Sequence, residues 1–141
     1  MGISLVHDYR KVMVRVFQYL WALPTTVVGL VFLPVALVSG GDARVVDGVL
    51  EIHGGAVRFL LAHCTLLRGG VLALTLGHVV LGRDAWALEF TRGHERIHVR
   101  QCERWGLFFI PVYLLASLAI LAWGGHAYKD NPFEREAYKK S

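Results

Sequence analysis

The stretch His94-Glu95-Arg96-Ile97-His98 decides how the rest of the chain is read. It has the pattern H-E-x-x-H. Two histidines four positions apart on a helix lie one turn apart on the same face. Both imidazoles can then reach a single ion at the zinc–nitrogen distance of about 2.0–2.1 Å. The Glu95 carboxylate falls beside that ion, where it can serve as a general base toward water. The expected chemistry is therefore Zn2+-dependent hydrolysis, with His94 and His98 as metal ligands and Glu95 as the catalytic base.

The flanks of the motif support a helix. Asp84 is suited to cap it, Ala85 to Trp105 can form its body, and Gly106 is a stop signal. Gly93 weakens such a helix by about 1 kcal/mol relative to Ala. Its missing side chain leaves room beside His94 for a sheet or a substrate. Arg92, Arg96, Arg100 and Arg104 recur every four residues and form a basic flank, expected to face solvent or lipid headgroups. His94, His98, Gln101, Cys102 and Trp105 lie on the other side. A helix this charged does not sit inside lipid, so the site is expected at or outside the bilayer surface.

Upstream, Val49-Leu50-Glu51-Ile52-His53 alternates in polarity and Gly54-Gly55 is a two-residue turn signal, so Ala56 to Leu61 is expected to return as a partner strand. Arg68-Gly69-Gly70 marks a second turn. Val71 to Leu76 and Gly77 to Gly82 complete a small antiparallel meander of three or four strands. The last strand, just before the helix, either pairs with extended substrate or packs beneath the helix. The fold class is α+β: a hydrophobic helix, a small antiparallel sheet, the long H-E-x-x-H helix, a second hydrophobic helix and a short C-terminal helix.

The 141 residues are 55% hydrophobic and 18% charged, against about 45–50% and 25% in soluble domains. Val16 to Val38 is almost wholly apolar, and about 20 such residues span a hydrocarbon core. Pro24 and Pro34 kink such a helix without forbidding a span, and Tyr19 and Trp21 suit the interface. The run is longer than a signal-peptide core, and Val38-Ser39-Gly40 is a poor cleavage site. Residues 1–40 are thus expected to carry a membrane anchor, its N-terminus cytoplasmic because Arg10, Lys11 and Arg15 precede the run. Residues 41–141 form the metal-binding domain. The net charge of +4 is scattered and not interleaved with aromatics, which argues against nucleic acid as a partner. Membrane lipid and a peptide or protein substrate are the expected partners. Cys64 and Cys102 form no disulfide framework or C-x-x-C and are expected as small core residues.

A catalytic zinc usually has three protein ligands and an open position, and the helix supplies two. Cys102 continues their face but lies too far along the axis. After the apolar run Leu107 to Trp123, the tail reads as a short helix with Asn131 as N-cap and Pro132 at its first position. Glu134, Glu136, His126 and Asp130 are available there as a third ligand, although Asn131-x-x-Glu134 also fits a capping box. Tyr113, His126, Tyr128 and His78 are candidate donors to an oxyanion.

Residues 94–101, with Asn131-Pro132-Phe133-Glu134-Arg135-Glu136-Ala137, resemble small bacterial gluzincin-like metallopeptidases that carry an HExxHxxQ core and a distal E-x-E-A element. The resemblance covers roughly residues 77–138 and implies zinc on His94, His98 and Glu134, peptide-bond hydrolysis, and a place in the bacterial inner membrane. Related peptidases often set an Asp four residues after the ligand Glu to orient a His; here that position is Tyr138. If Glu134 joins His98 at one ion, Leu107–Trp123 cannot cross a bilayer once, because its two ends must lie on the same side. Pro111 and the Gly124-Gly125 break fit a re-entrant, interfacial or buried helix. A non-catalytic zinc-binding membrane protein is the alternative, either a degenerate peptidase or an interaction module.

Overall fold

The first apolar run is divided by its prolines. The computed structural model describes residues 2–141, with side chains from Asp8 onward. It begins with three helices, α1 (Gly2–Trp21), α2 (Leu23–Leu30) and α3 (Phe32–Val38). Pro24 and Pro34 each fall in the first turn of their helix, where no intrahelical partner for the missing N–H is lost. The axis bends by 58° between Asp8–Trp21 and Leu23–Val38. Tyr19 and Trp21 tie α1 to the rest of the chain. The Tyr19 hydroxyl donates to the Gly48 carbonyl at 2.7 Å, and Trp21 Nε1 donates to the Arg104 carbonyl at 3.4 Å.

The sheet is mixed, which corrects the expected antiparallel meander. β1 (Asp42–Val46) and β2 (Val49–His53) form a hairpin with Val46 opposite Val49. Its turn is Asp47-Gly48, both at positive φ (50° and 76°), as the favoured two-residue hairpin turn requires. That turn gives β2 its antiparallel partner on the N-terminal side. The segment expected to return after Gly54-Gly55 is instead a helix, α4 (Gly55–His63). Val57 and Leu61, four residues apart, are its buried positions; a short apolar run is ambiguous between helix and strand until its buried spacing is known. After α4 the chain returns through β3 (Ala73–Leu76) and β4 (Val79–Gly82). β4 pairs parallel to β2 and antiparallel to β3, giving the order β1-β2-β4-β3.

This order decides between the two readings of the last strand. β4, the strand immediately before the long helix, is hydrogen-bonded on both edges and cannot accept an extended peptide. It packs under the helix, where Val80 meets Leu88 and Val99. The free edge nearest the motif belongs to β3. The main core lies on the other face, where Ile52, Val79 and Leu81 meet Ala36 of α3 and Val57 of α4. Gly29 of α2 lies so close to β4 that an added Cβ would stand 2.6 Å from that of Val79.

The helix α5 (Ala85–Trp105) has the expected ends. The Asp84 carboxylate accepts from the Ala87 amide at 2.8 Å, and Gly106 stops the helix at φ 55°. Gly93 does not admit the sheet; a Cβ there would meet only Ser141, at 3.8 Å. The arginine flank is not simply solvated. Arg92 and Arg96 reach across to Glu51 of β2, at 3.0 and 3.3 Å, and Arg44 joins them at 3.2 Å. A 3₁₀ turn (Gly106–Phe108) leads into α6 (Phe109–Ala122), and the chain ends in α7 (Pro132–Lys140). Cys102 is in the core as expected, but Cys64 is exposed, because it follows the last turn of α4 rather than lying in a strand. The helical stretch Ala85–Ala122 is long and apolar enough to cross a membrane, and only 17% of its apolar window is buried.

Glu51 is 1% exposed. Burial pushes its carboxyl up, but the Arg92 bond and the charges around it outweigh this and leave it below its ordinary value. Glu51→Gln removes the anion and leaves three guanidiniums facing one another. Their side chains keep 46%, 27% and 18% exposure. The cost is therefore about 1–3 kcal/mol, less than for a fully enclosed pair. A lowered carboxyl contributes fully above its unfolded value, about pH 4.3, and loses that contribution as acid titrates the folded form. The melting-temperature gap between wild type and Glu51→Gln should be open at pH 7 and close below about pH 4. A gap that persists unchanged in acid would mean that charge is not its origin.

Candidate metal centre

Local signals in the chain build this site from two helices. On α5 the four-residue spacing stacks His94 and His98 one turn apart. On α7 the Asn131 side chain fixes the start: its Oδ1 accepts from the Phe133 amide at 3.0 Å. Its Nδ2 donates to Ser117 Oγ at 2.8 Å and to the Tyr113 carbonyl at 3.2 Å. Asn131 is fully buried, so it locks the start of α7 onto α6. Glu134 then sits one turn in, facing α5, and does not close a capping box. Its side chain goes to the histidines instead.

The three groups converge. His94 Nε2 lies 3.0 Å from Glu134 Oε2, His98 Nε2 lies 3.3 Å from Glu134 Oε1, and the two Nε2 atoms are 3.1 Å apart. Ligands held at about 2.0–2.1 Å around a tetrahedral zinc are about 3.3 Å from one another. The residues present therefore match the spacing and the donor chemistry of such an ion. Electron-rich atoms this close favour a shared proton or a cation between them. Burial alone would raise the Glu134 carboxyl; bonds from His94, His98 and Tyr113 overcome this and bring it down to about 2. Burial would lower His98, and Glu134 more than reverses that, raising it.

Neighbouring side chains hold the ligands in place. His98 Nδ1 donates to Gln101 Oε1 at 2.8 Å, so in the neutral ring the lone pair is on Nε2, the atom turned toward His94 and Glu134. Gln101 is fully buried, and its Nε2 donates to the Phe133 carbonyl at 3.0 Å and to Glu136 at 2.9 Å. The Tyr113 hydroxyl donates to Glu134 Oε1 at 2.6 Å. His94 has no such support among the described residues: its Nδ1 is buried without a partner there, and its ring packs against that of Tyr138 at 4.6 Å. The position where an orienting Asp was expected in related peptidases is thus filled by ring packing.

Glu95 lies outside the three-residue group but lines the same cavity, of about 330 Å3. Its Oε2 accepts from Thr75 Oγ1 of β3 at 2.6 Å. Burial is the largest influence on this carboxyl and raises it, against the pull of His98, Thr75 and His94. Apolar side chains from α6 and from the region of β3, including Ile110, Leu114 and Leu74, form the rest of the wall.

The other candidates do not join the group. Glu136 turns to Gln101, Arg104 and Lys140. Asp130 accepts from the His126 amide at 2.7 Å in the turn before α7. Of the candidate oxyanion donors, Tyr113 is committed to Glu134 and His78 is bound to Glu103 elsewhere. Tyr128 lines the cavity. Thr75 and the tethering role of Gln101 come from the structure; their signals in the sequence are a polar residue within an apolar strand and a Gln three positions after His98 on the same face. No family model, curated protein or solved structure matches the chain.

Gln101→Leu removes the tether on His98 Nδ1. Loss of such a partner typically costs 10–100-fold in metal affinity, about what a competition titration with Zn2+ should show here. Circular dichroism should show the fold retained. Unchanged affinity would mean that Gln101 has no part in orienting His98.

Proposed function

We propose that the chain is a membrane-associated, zinc-dependent metallopeptidase of the gluzincin-like kind, with His94, His98 and Glu134 holding the metal and Glu95 as the base. The observation that carries this reading is the convergence of three ligand atoms, from helices 40 residues apart in sequence, beside a buried carboxylate in one cavity. When bound, zinc supplies Lewis acidity to the scissile carbonyl and to water. Glu95 takes a proton from the attacking water and delivers it to the amine as the C–N bond breaks, leaving a carboxylate and a free amine. Its raised proton affinity suits both halves of that transfer. Thr75 holds the carboxylate in place, and Tyr128, which lines the cavity with its hydroxyl 3.2 Å from that of Tyr138, is the donor we assign to the developing oxyanion. The free edge of β3 can align an extended peptide, and the apolar wall favours apolar side chains beside the cleaved bond.

Three ligand residues, not four, form the group among the described residues, which favours an open catalytic site over a closed structural one. Membrane association is supported by the exposed apolar side chains along α1 to α3 and α6 and by the apolar stretch ending at Ala122. A bacterial inner membrane is the location we infer.

Purified protein should carry close to one zinc per chain by elemental analysis, and His94→Ala/His98→Ala should carry none. Glu95→Gln should keep the metal while hydrolysis of a fluorogenic apolar peptide library falls by about 10²–10⁴-fold. Zinc retained in the double variant would overturn the ligand assignment. A zinc-loaded wild type that hydrolyses nothing in the library would point to a non-catalytic zinc protein.

A further inference from the structure

The helix α5 has a second polar face. His94, His98 and Gln101 turn toward α7, while Arg96, Arg100 and Glu103 line a separate cavity of about 670 Å3 against α1. Arg15 and Tyr19 of α1 form the opposite wall, and His78, from the turn between β3 and β4, also lines it. We propose that this cavity binds a phosphate-bearing anion, the headgroup of an anionic glycerophospholipid.

The charge balance favours an anion. The charged lining residues are four arginines (15, 96, 100 and 104) and two acids, Asp47 and Glu103. Glu103 is committed to His78 Nε2 at 2.9 Å, and Arg104 to Glu136 at 3.4 Å. Arg15 and Arg100 form no ion pair among the described residues. Two guanidiniums from different helices thus line one cavity with no described acid within ion-pair distance of either, and the lining carries four arginines against two acids. Planar guanidinium donors match phosphate oxygens in pairs.

The wall is also built and incompletely satisfied. His78 is 5% exposed and stacks on Tyr19, with ring centroids 3.9 Å apart and planes within 8°. Among the described residues, Arg96 Nη1 is a buried donor without a hydrogen-bond partner. Buried polar atoms usually have one, so an unpaired guanidinium donor at this wall calls for an explanation such as a bound anion.

The two sides of α1 indicate the source of the anion. Arg15, Gln18 and Tyr19 share the face that lines the cavity. Met13, Phe17 and Leu20 occupy the opposite face and are 69%, 63% and 63% exposed. A helix with an uncovered apolar side and basic residues on the other lies naturally at a bilayer surface, where anionic lipids gather. This assignment rests on the membrane placement of α1 and is independent of zinc.

The test uses the full chain, purified and delipidated in a neutral detergent. Phosphatidylglycerol, phosphatidylcholine and inorganic phosphate are added separately, and retention is read by native mass spectrometry and stabilisation by thermal shift. Phosphatidylglycerol should be retained about tenfold or more over phosphatidylcholine, and Arg15→Gln/Arg100→Gln should abolish that preference. Both side chains are exposed, so the variant should melt near wild type. Arg58→Gln/Arg68→Gln removes the same charge elsewhere and should leave the preference intact. Equal retention of the two lipids, an unchanged preference in the cavity variant, or an equal loss in the control variant would overturn the site. Equal stabilisation by inorganic phosphate would uphold the phosphate site and overturn its lipid source. His94→Ala/His98→Ala should still retain the lipid, which separates failure here from failure of the metal centre.

Discussion

The carboxylate of Glu51 is the fixed point of this structure. It sits on β2, is almost wholly buried, and takes guanidinium donors from β1 and twice from α5. A lone buried carboxylate would be too costly to keep charged, and three neighbouring arginines make it tolerable only if all converge. Convergence fixes how α5 rotates about its axis. With Arg92 and Arg96 held against β1 and β2, His94 and His98 are turned toward α6 and α7 and Glu95 toward Thr75 of β3, where the candidate site lies. The ion-pair cluster on one flank of the helix therefore orients the histidines on the other.

A second constraint comes from the return of the chain. Glu134 reaches His94 and His98 because α6 leads away from α5 and residues 123–131 lead back. α6 has 14 residues, about 21 Å at 1.5 Å per residue, which is short of a hydrocarbon core of about 30 Å. The polar atoms that fasten the return are also those that position the ligand. Ser117 and Tyr113 on α6 receive Asn131, and Tyr113 then donates to Glu134. Apolar length in α6 is thereby reconciled with a polar site at its base, because its inner side carries the few polar groups that α7 needs.

Much of this was legible in the sequence where the cause is local. The ends of α5, the cap of α7 and the spacing of the two histidines depend on residues within one or two turns, and Asp84, Gly106 and Asn131 behave as their types dictate. The sheet was less legible. Asp47-Gly48 and Gly54-Gly55 are competing hairpin signals, and a turn placed at Gly54-Gly55 makes a strand of α4 and a candidate edge of β4. Strand partners depend on contacts far apart in the chain, and a six-residue apolar run has no period long enough to separate helix from strand. The arginine flank shows the same limit. Its spacing of four was visible, but its use depends on Glu51, which no pattern within α5 reveals.

The candidate site and the apolar surface are linked by the position of β3. This strand is at the sheet edge, its Thr75 holds Glu95, and its exposed Leu74 lines the same cavity as Ile110 and Leu114 of α6. A cleft with a charged floor and apolar walls discriminates by desolvation: a polar side chain entering it loses water without gaining partners, whereas an apolar one gains. α6 is largely exposed on its other side, so the wall of the cleft and an exposed apolar surface belong to one helix. On the membrane placement proposed above, an apolar segment leaving a bilayer along α6 would reach the free edge of β3. Recognition by an edge strand needs an extended backbone. The segment that fits both requirements is one that has left helical structure at the membrane surface.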